Sequence, residues 1–146
     1  MIRPFHTLPD IMELGLLVAR IQNESGADRD IDEEVMSLFF KWEERFIGVR
    51  DEDGHQIPST VWVSPLTNDW VSSGPHRFTG SVDWIVQAMR EFLPETSWSL
   101  QAPSEQPATA LVRNGAAFKA RTALTPQRAL LTAFLCLADQ IQREAA

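Results

Sequence analysis

The chain has 146 residues, 44% hydrophobic and 23% charged, which is enough apolar material for one core and unlike a disordered composition. Its 13 Lys and Arg stand against 20 Asp and Glu, a formal charge of -7. Basic residues form no cluster, so the counterion-releasing contacts that hold nucleic acids are not available, and direct nucleic-acid binding is not expected.

These figures predict a single α+β domain over residues 1–146, with 1–7 as a flexible N-terminal lead-in. The longest apolar run, Ala129 to Ala138, is interrupted by Thr132 and is too short to span a bilayer, so no membrane partner is expected. Met1-Ile2-Arg3-Pro4-Phe5-His6 lacks the apolar stretch and cleavage site of a targeting signal. The single cysteine, Cys136, has no partner for an internal disulfide, which suits a reducing cytoplasm.

In chain order, a first helix is expected from about Leu8 to Asn23, with Thr7 as cap, Pro9 in the first turn, and Ile11, Leu14, Leu17, Val18 and Ile21 as an apolar stripe. Asp28 caps a second helix with Ile31, Val35, Leu38 and Phe39 on its buried face, continuing to Arg45 through Lys41-Trp42-Glu43-Glu44. Phe46 to Arg50 and Ser59 to Val63 read as strands around an Asp51-Glu52-Asp53-Gly54 turn, where Asp-Gly supplies the positive φ of a hairpin. Pro58, Pro65 and Pro75 limit regular pairing in this region.

A third helix follows, capped by Thr79 or Ser81, with Val82, Ile85, Val86, Met89 and Leu93 on one side and Pro94 beyond its end. Ser97–Gln101, Ala108–Arg113 and Ala117–Arg121 alternate as an antiparallel meander, with Asn114-Gly115 as a hairpin turn. Thr125 and Pro126 open the last helix, whose apolar surface is so wide that it is expected to lie across the sheet as a central packing element.

The chemistry-bearing residues are sparse. His6, His55 and His76 are scattered without H-x-x-x-H or C-x-x-C spacing, so they read as ordinary surface histidines and no metal site is expected. Counting Asp51 as the first ligand of a calcium loop puts Trp62 where a bidentate Glu is needed, so a solvated turn is the better reading. Cys136, between Leu135 and Leu137, reads as a small buried hydrophobe. Ser81 lacks the G-x-S-x-G elbow, and the dispersed glycines form no phosphate-binding loop. No catalytic residue and no cofactor is assigned.

There are five tryptophans and no tyrosine. Trp62 and Trp98 fall on strands and are expected in the core, and Trp84 lies beside the third helix's buried stripe. Trp70, in the polar stretch before His76 and Arg77, is either an anchor for a partner or an aromatic covering a sheet edge. The candidate binding residues are therefore Asp51, Glu52, Asp53, Trp70, His76 and Arg77.

Three blocks carry a resemblance: Ser25-Gly26-Ala27-Asp28-Arg29-Asp30-Ile31-Asp32, then Phe78-Thr79-Gly80-Ser81-Val82-Asp83-Trp84-Ile85 with Trp98 downstream, then Ala123-Leu124-Thr125-Pro126-Gln127-Arg128-Ala129-Leu130-Leu131. Their order resembles the phage ABA sandwich domain family, whose pattern is G-x-D-R-E-L-D, a [FY]-T-x-S-x-D-A-A helix start, a Trp-bearing strand and a closing T-P-x-x-A-L helix. The sequence departs from it at Trp84-Ile85, where the family usually has two alanines, and aligns little over 40–74. The resemblance implies an αβα layered fold and a phage or prophage context, with no catalytic residues to transfer.

Together these readings predict an antiparallel sheet of three to five strands layered with about four helices. The leading functional expectation is a cytoplasmic phage or prophage accessory protein acting by protein–protein contact; one version is an inhibitor of a host or defence complex that offers its acidic face to a basic groove. The rivals are a small enzyme with a carboxylate or histidine site assembled from residues 46–78, and a structural homo-oligomer that would expose a large apolar patch.

Overall fold

In the computed structural model, which describes residues 3–104 and 106–145, Asp10 rather than Thr7 starts the first helix. Its carboxylate accepts from Met12 N, and α1 runs Ile11–Asn23. Thr7 is occupied elsewhere: His6 N and Thr7 N both donate to Leu38 O, at 2.6 and 3.2 Å. Phe5, expected within a flexible lead-in, is buried, and its main chain exchanges hydrogen bonds with the Gln142 side chain.

Asp28 caps α2 (Arg29–Phe39), accepting from Asp30 N and Ile31 N. The helix does not continue to Arg45. Leu38, Phe39 and Phe40 are all buried. The chain instead becomes extended at Phe40 and forms β1 (Lys41–Arg45), which pairs antiparallel with β2 (Ser59–Val63). Trp42 lies directly opposite Trp62, ring centroids 4.7 Å apart. The helix preference of Lys-Trp-Glu-Glu-Arg yields to this cross-strand contact.

β3 (Trp70–Ser72) completes a first sheet in the order β1-β2-β3. The strand expected at Phe46 to Arg50 is absent apart from one bridge between Arg50 and Gln56, which closes the turn around Gly54. Next comes α3 (Val82–Phe92), followed by a second sheet of β4 (Ser97–Gln101), β5 (Ala108–Asn114) and β6 (Ala117–Ala123) in that order. Asn114 pairs with Ala117, so the tight turn is Gly115-Ala116, with Gly115 at φ 61°. The α+β class and the four helices stand, but the strands divide between two three-stranded antiparallel sheets instead of sharing one.

α4 (Pro126–Glu144) crosses the second sheet, as its wide apolar surface predicted, and α1 and α3 pack against its other sides. Leu130, Leu131, Phe134, Leu135 and Leu137 are fully enclosed, each contributing about 1.5–3 kcal/mol of burial. Phe39 joins them in the core, with Phe5, Phe92 and Phe134 rings each 5.2 Å away. Among the described residues, no helix covers the opposite face of the second sheet: Ser99, Leu111, Arg113, Phe118 and Ala120 are exposed on it. Trp98, expected in the core, stands on edge strand β4 and is 41% exposed. Cys136 is half-buried rather than enclosed.

Two buried polar side chains tie distant segments together. Arg128, in the first turn of α4, is 1% exposed and donates to Gly26 O from Nε and Nη2 and to Ile21 O and Arg20 O from Nη1. These carbonyls lie at the end of α1 and in the turn beyond it, where helix geometry leaves acceptors unpaired. Asp32 accepts from Thr79 N and Thr79 Oγ1, both at 2.9 Å, and Asp28 N donates to Thr79 Oγ1 at 2.8 Å. Thr79 therefore clamps α2 instead of capping α3; Ser81 holds the cap position without a side-chain bond. The three blocks singled out in the sequence meet in this polar knot.

Candidate functional site

The Thr79 clamp fixes what precedes it. Phe78 is fully buried and Phe78 N donates to His76 O at 3.0 Å, while the Ser72 hydroxyl donates to Gly74 O. The segment between them, residues 72–77, is thus pinned at both ends, and Pro75 lines three clefts that meet on it.

The first cleft, about 400 Å³, is formed by Trp70, His76, Arg77 and Trp84 with the main chain between. His76 stacks on Trp84 at 4.0 Å and 22°, and meets Phe40 edge-on at 5.5 Å. It is not an ordinary surface histidine. Burial holds its pKa below the usual histidine value, so the ring is neutral at neutral pH and acts as an aromatic plate. Trp70, across the cleft, is 49% exposed.

The second and largest cleft, about 790 Å³, lies between α2 and the first sheet. Phe40, Trp42 and Trp62 supply aromatic walls, and Arg29, Glu33 and Lys41 supply charge. Lys41 Nζ is engaged by Asn68 Oδ1 at 3.1 Å, whereas among the described residues Arg29 bonds through Nε alone, to Glu33 at 3.4 Å. The third is a recess of about 230 Å³ lined by Ala27, Arg29, Asp32, Pro75 and Arg77. Burial raises the Asp32 pKa against the lowering effect of its bonds from Thr79. Arg29 and Arg77 thus flank one recess, each with guanidinium nitrogens that bond to no described residue.

Of the six candidate binding residues, the structure brings together Trp70, His76 and Arg77 and leaves Asp51, Glu52 and Asp53 apart from them. Those three occupy the exposed turn between Arg50 and Gln56. Asp51, Asp53 and His55 have potential ligand atoms within 4.8 Å of one another. Asp51 Oδ1, however, already accepts from Asp53 N and His55 N, which is how an Asp side chain stabilises a turn by itself. Arg29, Trp42 and Trp84 escaped the sequence reading of the site. Arg29 and Trp42 reach it only through the fold of α2 onto the first sheet, while Trp84 had a local signal in its position beside the α3 stripe.

Comparison of the chain with protein-family models, with curated proteins and with solved structures finds no match. Among the described residues, no helix is long and apolar enough to cross a membrane.

Proposed function

We propose that this chain is a binding protein without a reaction of its own, which holds an extended, apolar and acidic segment of a partner protein across the clefts meeting at Pro75. The observation that supports this most is the placing of two guanidinium groups, Arg77 and the loosely paired Arg29, beside the half-exposed indoles of Trp70 and Trp42. Tryptophan and arginine dominate the energetics of protein interfaces, and a guanidinium fork grips a carboxylate with two parallel bonds. On a chain of net charge -7, Arg77, which bonds to no described residue, and the exposed Arg29, held only by a 3.4 Å contact to Glu33, suit an external anion.

The enzymatic alternative is less well supported. No carboxylate lines the cleft that holds His76, so nothing there would orient or recharge it as a base. Asp69 is exposed and does not line that cleft, and Asp32 is engaged by Thr79. The resemblance to the phage ABA sandwich domain family adds the setting: a phage or prophage accessory protein in the bacterial cytoplasm, acting on a host or defence protein. A second reading, the acidic Asp51-Glu52-Asp53 turn offered to a basic groove, draws on the exposure of that turn.

A random peptide display library panned against the whole chain separates these. Enriched peptides should combine Asp or Glu with Trp, Phe or Leu, and lose about tenfold or more in affinity on Trp70→Ala or Arg77→Ala. Basic peptides that respond to Asp51→Asn and Asp53→Asn would move the contact to the turn. No enrichment above background would refute both.

A further inference from the structure

A helix whose apolar side chains cover most of its circumference is ordinarily enclosed on most sides. α1 buries Leu14, Leu17 and Ile21 beside α4, yet Ile11, Met12 and Leu16 are 70%, 75% and 64% exposed. Met12, Leu16, Ala19 and Asn23 follow one another at the four-three-four spacing of a coiled-coil seam. In that register Glu13 and Arg20 flank the seam on one side, and Gly15 and Gln22 on the other.

Equivalent flanking positions carrying opposite charge are what an antiparallel pair of identical helices requires. A two-fold axis across the seam sets Glu13 of each copy near Arg20 of the other, so the charge match occurs twice. Shape agrees with charge. The space above Gly15 is empty within 4 Å, and with exposed Ala19 it forms a notch into which Leu16 of the other copy fits. Beside the seam, α1 and α2 enclose a groove of about 380 Å³ floored by Leu14, Leu17 and Leu38, with Leu16 on its rim. Knob, notch and both charges come from one surface.

We propose that α1 is a homodimer interface, and that its occupant is α1 of a second copy packed antiparallel. One short helix and a groove make an interface smaller than the roughly 800 Å² per partner of a standard one, in the class of weak or transient pairs.

Sedimentation velocity of the full chain over a concentration series tests this, with far-UV circular dichroism to confirm the fold. The wild type should pass from monomer to dimer as concentration rises through the micromolar range. Leu16→Glu, at an exposed position, should remain monomeric throughout. Glu13→Arg should weaken the dimer about tenfold by opposing two cations twice. Arg20 also donates to Glu34 Oε1 at 2.6 Å, so the full charge swap is Glu13→Arg, Arg20→Glu and Glu34→Arg together, and it should restore wild-type association. A chain that stays monomeric up to millimolar concentration, or a dimer indifferent to Leu16→Glu, would overturn the interface. A charge swap that does not restore association would overturn the antiparallel arrangement.

Discussion

Replacing Arg128 with Met tests whether the buried guanidinium holds α4 to the end of α1. Methionine keeps a stem of similar shape, so the change removes the fork without opening a large cavity. Four hydrogen bonds are lost, two to Gly26 O and one each to Ile21 O and Arg20 O, at 2.8 to 3.4 Å. Bonds from a charged donor are worth about 1.5–3 kcal/mol each, but Gly26 lies on an exposed turn where water replaces its lost partner. The Ile21 carbonyl, on a fully buried residue, has less access to water. The expected cost is about 3–5 kcal/mol, or a fall of roughly 10–15 °C in Tm for a domain of this size. Arg128→Lys should cost about half as much, because one ammonium meets Gly26 O or Ile21 O but does not span both. Urea unfolding followed by tryptophan fluorescence and circular dichroism measures the difference, with an unchanged m value showing that both states keep their compactness. If Arg128→Met lies within about 1 kcal/mol of wild type, the buried fork is not what joins these helices. If Lys equals Arg, charge matters and geometry does not.

Two pH predictions follow with opposite signs. The folded-state pKa of His76 is lowered by burial, so its contribution to stability is complete above the unfolded value near 6.5 and is lost as pH falls through the folded value. Thermal midpoints of wild type should therefore drop on acidification relative to His76→Phe, which keeps an aromatic plate on Trp84; parallel curves would show that the ring is not desolvated. The folded-state pKa of Asp32 is raised by burial, so its contribution is complete below the unfolded value near 4 and is lost as pH rises through the folded one. Asp32→Asn keeps an acceptor for Thr79 and removes the buried charge, so its stability relative to wild type should improve as pH rises from acid to neutral; a trend in the other direction would show that Arg128 or the Thr79 bonds outweigh the desolvation.

The sequence revealed the elements whose signals are local. Thr125-Pro126 followed by a broad apolar helix identifies α4, Asn114-Gly115 identifies the β5–β6 hairpin to within one residue, and Asp28 identifies the start of α2. Elements decided by distant partners were hidden. Lys41–Arg45 has helical propensity and becomes a strand only because Ser59–Val63 lies beside it. Trp98 alternates like a core residue, but strand order puts it on an edge. Thr79 looks like a cap in its own segment, whereas its hydroxyl is taken by Asp32, 47 residues earlier. The candidate clefts divide the same way: Trp70, His76 and Arg77 are near neighbours in the chain and line one cleft, while Arg29 and Trp42 reach the adjoining one only once α2 has packed beside the first sheet.

The polar knot and the clefts are joined through the chain and its hydrogen bonds. Arg128 fixes the turn at Gly26, Asp28 and Asp32 fix Thr79, and Thr79 follows directly on Phe78 and the segment that carries His76 and Arg77. A partner segment of the kind proposed would therefore meet walls already in place, which would reduce the ordering cost of binding. α2 links this unit to the dimer proposal, since Ser37 borders both the cleft beside Trp42 and the groove beside Leu16. Pairing through α1 would place two preformed clefts on one particle, and a partner with two acceptable segments would then bind the second at high effective concentration. Leu16→Glu should accordingly leave the affinity for a single segment unchanged while sharply weakening capture of a tandem one. Arg77→Ala should weaken both, so the two surfaces are separable by experiment even though they share a helix.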